Sequence, residues 1–123
     1  MKRERDPREY LDHIVQAMSH IAAWVAEGPD QFENDYRTRQ ALIRTLQELT
    51  ESVKRLEPLV GKRYPEVPWR EVGAFRNVIV HDYLGLKLSR IWEIASERVP
   101  ELKPHVDRML ADLPPERPSP GHK

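Results

Sequence analysis

The chain has 123 residues, enough for one domain, with 39% apolar and 33% charged residues and a formal net charge of zero. That balance suits a compact soluble domain with one modest core and a well-solvated surface. The absence of cysteine excludes disulfides and thiolate zinc sites, and the lack of a basic excess means that nucleic-acid binding would need a local patch rather than bulk charge.

The first predicted element starts at Asp6. Its carboxylate can accept from a free amide, Pro7 fits a first helical turn, and Glu9 completes a capping box. Leu11, Ile14, Val15, Met18, Ile21, Ala22 and Val25 recur at steps of three and four, one apolar face of a long helix that Gly28-Pro29 ends. A second helix is expected from Asp30 or Asn34, with Leu42, Leu46, Leu49, Val53 and Leu56 on one stripe and Ile43 beside it. Pro58, Gly61, Pro65 and Pro68 then break the chain.

Val67-Pro68-Trp69-Arg70 opens a third helix that runs to about His81, and residues 82–85 form a short connection. A fourth helix carries Leu88, Ile91, Trp92, Ala95 and Val99 and ends at Pro100. A fifth, short helix carries Leu102, Val106, Met109 and Leu110. The sequence therefore predicts an all-α antiparallel bundle of four to five helices over residues 1–113. The proline-rich segment 114–123 has little apolar surface and reads as a disordered tail. No apolar run approaches the ~20 residues of a membrane span. The charged start, Met1 to Pro7, lacks the apolar stretch of a signal peptide, so the expected location is the cytoplasm.

The third helix departs from ordinary amphipathic patterning. From Val72 to His81, only Arg76, Asn77 and His81 interrupt apolar residues. A helix apolar nearly all round is buried in a core or at an interface. Burying Arg76 there requires an acidic partner, a watery cleft or an interface, because an unpaired buried guanidinium costs several kcal/mol, on the order of the penalties for isolated charges. Asn77 and His81, four apart, share a face. Arg76 and His81, five apart, stand ~140° apart around the axis, so they meet only if the long arginine wraps round or if groups converge across a subunit boundary.

Arg76, four residues, His81, one residue and Tyr83 resemble the signature of the HepT-like toxins of the HEPN superfamily. The flanks agree: Val67-Pro68-Trp69-Arg70 before it, Leu84-Gly85 after it, then Ile91-Trp92-Glu93-Ile94 and Val99-Pro100-Glu101-Leu102. The close match spans about residues 65 to 113, and the first two helices match in pattern and length. The resemblance implies a helical bundle that forms a homodimer with the motif helices facing each other. It also implies a metal-independent endoribonuclease with no cofactor, the toxin of a type II-like toxin–antitoxin pair. The implied partner is a minimal nucleotidyltransferase antitoxin that transfers AMP to the motif tyrosine, here Tyr83.

These residue types suit metal-free RNA cleavage, in which the ribose 2′-hydroxyl attacks the phosphate. Histidine, with an ordinary pKa of about 6.5, exchanges protons at neutral pH, which makes His81 the acid/base candidate. Arginine stays charged and presents a planar fork that matches phosphate oxygens, so Arg76 is the transition-state stabiliser. Asn77 is assigned to orienting His81 or binding a phosphate oxygen, and Tyr83 to contacting RNA and accepting AMP, whose charge and bulk would block the site. One such histidine per chain leaves the second proton transfer unassigned, which a dimer would supply. His13 and His20, seven apart on the first helix, read as surface or interface residues. Trp69 and Trp92 read as core or interface anchors, Asp82 as a turn residue, and Arg37, Arg39 and Arg44 as a solvated face. Two other functions compete: a non-catalytic subunit that holds a nucleotide or substrate for a nucleotidyltransferase, and a purely structural helical dimer.

Overall fold

The computed structural model describes residues 6–81 and 87–113, with the side chains of all of these except Val80 and His81. It is all-α, and no strand occurs among the described residues. The helices are α1 (Pro7–Ala26), α2 (Pro29–Asn34), α3 (Tyr36–Val60), α4 (Trp69–His81), α5 (Leu88–Glu93), a π-helical turn (Ile94–Arg98), α6 (Val99–Glu101) and α7 (Lys103–Asp112). No described helix is long and apolar enough to cross a membrane. The 114–123 tail and the 82–85 connection lie outside the described residues.

α1 begins as the sequence predicts. The Asp6 carboxylate accepts from the Arg8 amide at 2.9 Å, and Pro7 occupies the first turn. The helix ends before Gly28, whose φ of 96° favours glycine. The single second helix of the sequence reading is two. Asp35 has extended backbone and separates α2 from α3. Its carboxylate accepts from the Arg37 amide at 3.1 Å and from the Thr38 hydroxyl at 2.8 Å, so it caps α3. Short α2 delivers Phe32, 1% exposed, to a tilted ring contact with Trp92 at 5.4 Å.

Two prolines expected to stop helices do not. Pro58 lies inside α3 two residues before its end, so the one amide bond it removes, to the Lys54 carbonyl, disturbs only the last turn. Pro100 lies in the first turn of α6, directly after the π turn. There the Val99 amide reaches back five residues to the Ile94 carbonyl, and the Ser96 hydroxyl donates to the Trp92 carbonyl at 2.7 Å. The wider turn lets the rod run through the proline.

α3 is the central helix, packed between α1 and α4. Its predicted stripe, Leu42, Ile43, Leu46, Leu49, Val53 and Leu56, is buried in full. Leu11, Ile14 and Ile21 of α1, Val72 and Ile79 of α4, and Ile91 close over it. Each such side chain contributes about 1.5–3 kcal/mol of burial. Among the described residues no buried side-chain nitrogen or oxygen lacks a partner. Thr45 and Thr50, for example, donate back to the carbonyls of Ala41 and Leu46. One part of the predicted α1 face differs. Val15 is 40% exposed, and with Met18, Val25, Val106 and Leu110 it lines an open apolar groove of about 600 Å³.

The turn from α3 into α4 is fastened to the far end of the chain. Tyr64, nearly buried, donates from its hydroxyl to Asp112 Oδ2 at 2.9 Å. Burial, then this acidic partner, push the Tyr64 hydroxyl above its ordinary pKa. Arg108 pairs with Glu66 at 2.8 Å, and Trp69 Nε1 donates to the Tyr64 carbonyl at 2.9 Å. The first residue of α4 is thereby set against the turn that precedes it.

Candidate functional site

α4 spans Trp69–His81 as the sequence spacing predicts, with the Val72 amide donating to the Pro68 carbonyl at 3.0 Å. The helix is not enclosed all round in this chain. Val72 and Ile79 are buried and Phe75 and Val78 half-buried, whereas Gly73, Ala74 and Asn77 are exposed. The physical reason is size: glycine and alanine count as apolar but carry little surface, so leaving them open costs little. A Cβ placed on Gly73 would meet nothing within 4 Å.

Arg76 lies between these two sides. Its Nε donates to Glu51 Oε1 of α3 at 3.2 Å, and both side chains are 36% exposed. Of the three solutions open to an arginine in apolar surroundings, two apply together: an acidic partner and a cleft open to water. Arg55 Nε donates to the other oxygen, Glu51 Oε2, at 3.0 Å. The Arg55 hydrogen bond and the charge of Arg76 outweigh desolvation and hold the Glu51 carboxyl below its ordinary pKa. Because Arg76 engages Glu51 through Nε alone, both terminal nitrogens of its fork have no partner among the described residues.

This pair forms one wall of a groove of about 550 Å³, lined by His13, Gln47, Glu48, Glu51, Ser52 and Arg76. α3 supplies its floor on successive turns, α1 supplies His13, and α4 supplies Arg76. Glu48 is itself held by Arg44 at 3.3 Å. The lining itself holds one guanidinium and two carboxylates, and the carboxylates are also paired with Arg44 and Arg55, which lie outside it.

Of the four site residues predicted from sequence, Arg76 lines the groove. Asn77 is on the exposed side of α4, one turn beyond Gly73. His81 is the last residue of α4, and its side chain is outside the described set. Tyr83 and Asp82 lie outside the described residues altogether. Sequence reasoning missed Glu51, which pairs with Arg76 of α4, and it read His13 as a surface or interface residue, which its exposure matches. Trp69 and Trp92 are half-buried anchors within the chain. Arg39 lies over the Tyr36 ring at 5.5 Å, consistent with a solvated face there.

A family model described as ribonuclease HepT-like matches residues 10–109, which include the groove, the whole of α4 and Tyr83. The chain belongs to the HepT-like ribonuclease family. A protein of Caldanaerobacter subterraneus subsp. tengcongensis, named provisionally as an RNase, is 31% identical over 107 residues, covering 86% of this chain and 96% of that one. A probable ribonuclease HepT of Thermococcus cleftensis is 29% identical over 107 residues, covering 86% of this chain and 97% of the relative. A Methanocaldococcus jannaschii protein, also named provisionally as an RNase, is 28% identical over 111 residues, covering 89% and 96%. No solved structure matches the chain significantly. For this HepT-like chain, the all-α bundle and the ribonuclease family read from the Arg76–Tyr83 motif both hold.

Proposed function

We propose that this chain is a metal-independent endoribonuclease that cleaves RNA by 2′-hydroxyl attack, with Arg76 stabilising the phosphorane-like transition state and His81 moving a proton. The observation that carries the reading is the Arg76 fork, anchored by Nε on Glu51 beside an open groove, its two terminal nitrogens without a hydrogen-bond partner among the described residues. A guanidinium fixed at one nitrogen is oriented before substrate arrives, and its remaining donors match two phosphate oxygens. Asn77 holds a phosphate oxygen or His81, and Tyr83 contacts RNA.

Two copies join through the open Gly73–Asn77 side of α4, which gathers charge and histidines from both chains into one cleft. The protein acts as the toxin of a toxin–antitoxin pair in the cytoplasm. A minimal nucleotidyltransferase is its antitoxin, and AMP added to Tyr83 silences it by charge and bulk.

The test is cleavage of single-stranded RNA by purified protein in EDTA. The wild-type chain degrades it and His81→Ala does not. Intact RNA with tight nucleotide binding would favour a non-catalytic subunit of a nucleotidyltransferase instead. Toxicity on expression, abolished by His81→Ala, would tie the nuclease to the toxin role.

A further inference from the structure

A line of charge runs along α3 from the Arg76 groove toward the start of the helix. At about 3.6 residues per turn, Arg37, Arg44, Glu48, Glu51 and Arg55 fall within ~40° of one line down its length. The line meets the groove at Glu48 and Glu51. Both carboxylates are already paired, Glu48 with Arg44 and Glu51 with Arg55 and Arg76. Arg44 engages Glu48 through Nε, so its terminal nitrogens have no partner among the described residues. The Arg37 side chain is exposed and has no hydrogen bond or ion pair among them either. The spare donors on this line are therefore cationic.

The line ends beside an aromatic ring that the core does not use. Tyr36, the first residue of α3, is 66% exposed, although large apolar side chains elsewhere in the fold are mostly covered. Arg39 lies over its ring, 5.5 Å from the centroid, and is itself held through Nη1 on the Glu33 carbonyl at 2.7 Å. An anchored guanidinium thus backs the ring, which is otherwise open. The preceding carboxylate, Asp35, is committed to its cap and to Gln31 Nε2 at 2.9 Å.

Single-stranded RNA is recognised by these two elements together: cations that follow the phosphates and ring faces that take bases. A protein partner would ask for apolar surface around Tyr36, whereas residues 33–35, 37, 39 and 40 are all polar or charged. We infer that Tyr36, Arg37 and Arg44 form a track for single-stranded RNA leading away from the Arg76 groove. Arg44 and Arg37 hold phosphates, and Tyr36 stacks one base. The inference rests on the ribonuclease reading above and says where the uncut part of the substrate lies. Arg37 and Glu51 are ~21 Å apart along α3 at ~1.5 Å per residue. A stacked strand covers that distance in about six nucleotides at ~3.4 Å each. A fragment of two nucleotides on Arg76 therefore misses the far end of the track.

The experiment uses the full chain and two probes. Binding is measured by fluorescence anisotropy with a 2′-O-methyl RNA decamer, which lacks the nucleophile. Cleavage is measured in EDTA with unmodified RNA of two or ten nucleotides. Arg37→Ala is expected to raise the decamer Kd about fivefold at 0.1 M salt and to flatten its log–log salt dependence by about 0.7, the loss of one phosphate contact. Tyr36→Ala should weaken binding about fivefold or more at an unchanged salt slope, and Tyr36→Phe should keep wild-type affinity. Lys103→Ala, which removes one exposed cation from α7, should change neither. All four should keep the wild-type melting temperature. In cleavage, Arg37→Ala and Tyr36→Ala should raise KM for the ten-nucleotide RNA at unchanged kcat and leave the dinucleotide unaffected.

Decamer binding that weakens in these two variants supports the track even if the wild-type chain cuts no RNA, in which case the ribonuclease reading falls alone. Equal affinity and salt slope in wild type, Arg37→Ala and Tyr36→Ala overturn the track, whether or not RNA is cut. So does an absence of decamer binding, or an equal loss in Lys103→Ala, which would report net charge rather than a site.

Discussion

Arg76 of α4 and Arg55 of α3 bind the two oxygens of one carboxylate, that of Glu51, at 3.2 and 3.0 Å. The consequence is that Glu51 keeps a cation when either arginine is removed. Arg76→Ala is therefore expected to leave stability within about 1 kcal/mol, as for other half-exposed pairs. RNA cleavage should fall about 100- to 1000-fold, the usual cost of one oriented transition-state donor. Arg76→Lys should recover little, since a single ammonium cannot serve Glu51 and a two-point phosphate contact together. Melting curves and initial rates check both; a large loss of melting temperature at unchanged rate would make Arg76 merely structural.

The same carboxylate gives the pair an acid limit. Glu51 has a lower pKa folded than unfolded, so at intermediate pH the unfolded chain binds more protons. Its contribution is full above the ordinary glutamate value of about 4.3 and is lost as pH falls through the depressed folded value. Glu51→Gln should lower the melting temperature slightly at pH 7, and the gap to wild type should narrow as pH falls below the ordinary glutamate value of about 4.3. A gap constant with pH would mean that the charge on Glu51 contributes nothing.

Gly73 provides a test of assembly. A methyl group there meets only open space, so Gly73→Ala should raise stability by about 0.5–1 kcal/mol through helix propensity alone. Gly73→Arg adds bulk and charge to the exposed side of α4. If two copies meet through that side, light scattering should show a shift to monomer, with cleavage falling in step. An unchanged mass would place the contact elsewhere.

Tyr64→Phe removes the hydroxyl that reaches Asp112 and is expected to cost about 1 kcal/mol. For a chain of 123 residues that is roughly a 4 °C lower melting temperature. Wild type should also lose more stability than the variant in alkali. The Tyr64 hydroxyl ionises at higher pH folded than unfolded, so its contribution is whole below about pH 10 and declines above it.

The parts of the fold that were legible depend on repetition. The α3 stripe from Leu42 to Leu56 and the span of α4 could be read because apolar spacing repeats over several turns. The Arg76-to-Tyr83 motif and its flanks were enough to identify the family. What escaped depends on single contacts. Asp30, Asn34 and Asp35 are all residue types that cap helices, and only the hydrogen bonds of Asp35 show which one divides α2 from α3. Pro58 and Pro100 read as stops because a sequence does not reveal whether the opposing carbonyl has another solution. Glu51 and His13 line the groove with Arg76 only because α1 and α4 both pack on α3, a relation between helices that no local periodicity records.

The Tyr64–Asp112 and Glu66–Arg108 contacts bear on where the chain can be shortened. A version trimmed after Leu113 sheds the proline-rich extension and keeps both fastenings. One ending at Asp107 unties the bend that launches α4, and damage done at the carboxyl terminus would be felt as a misaimed Arg76 far along the sequence. Activity lost on such trimming would then report slack in the frame rather than a missing reactive group.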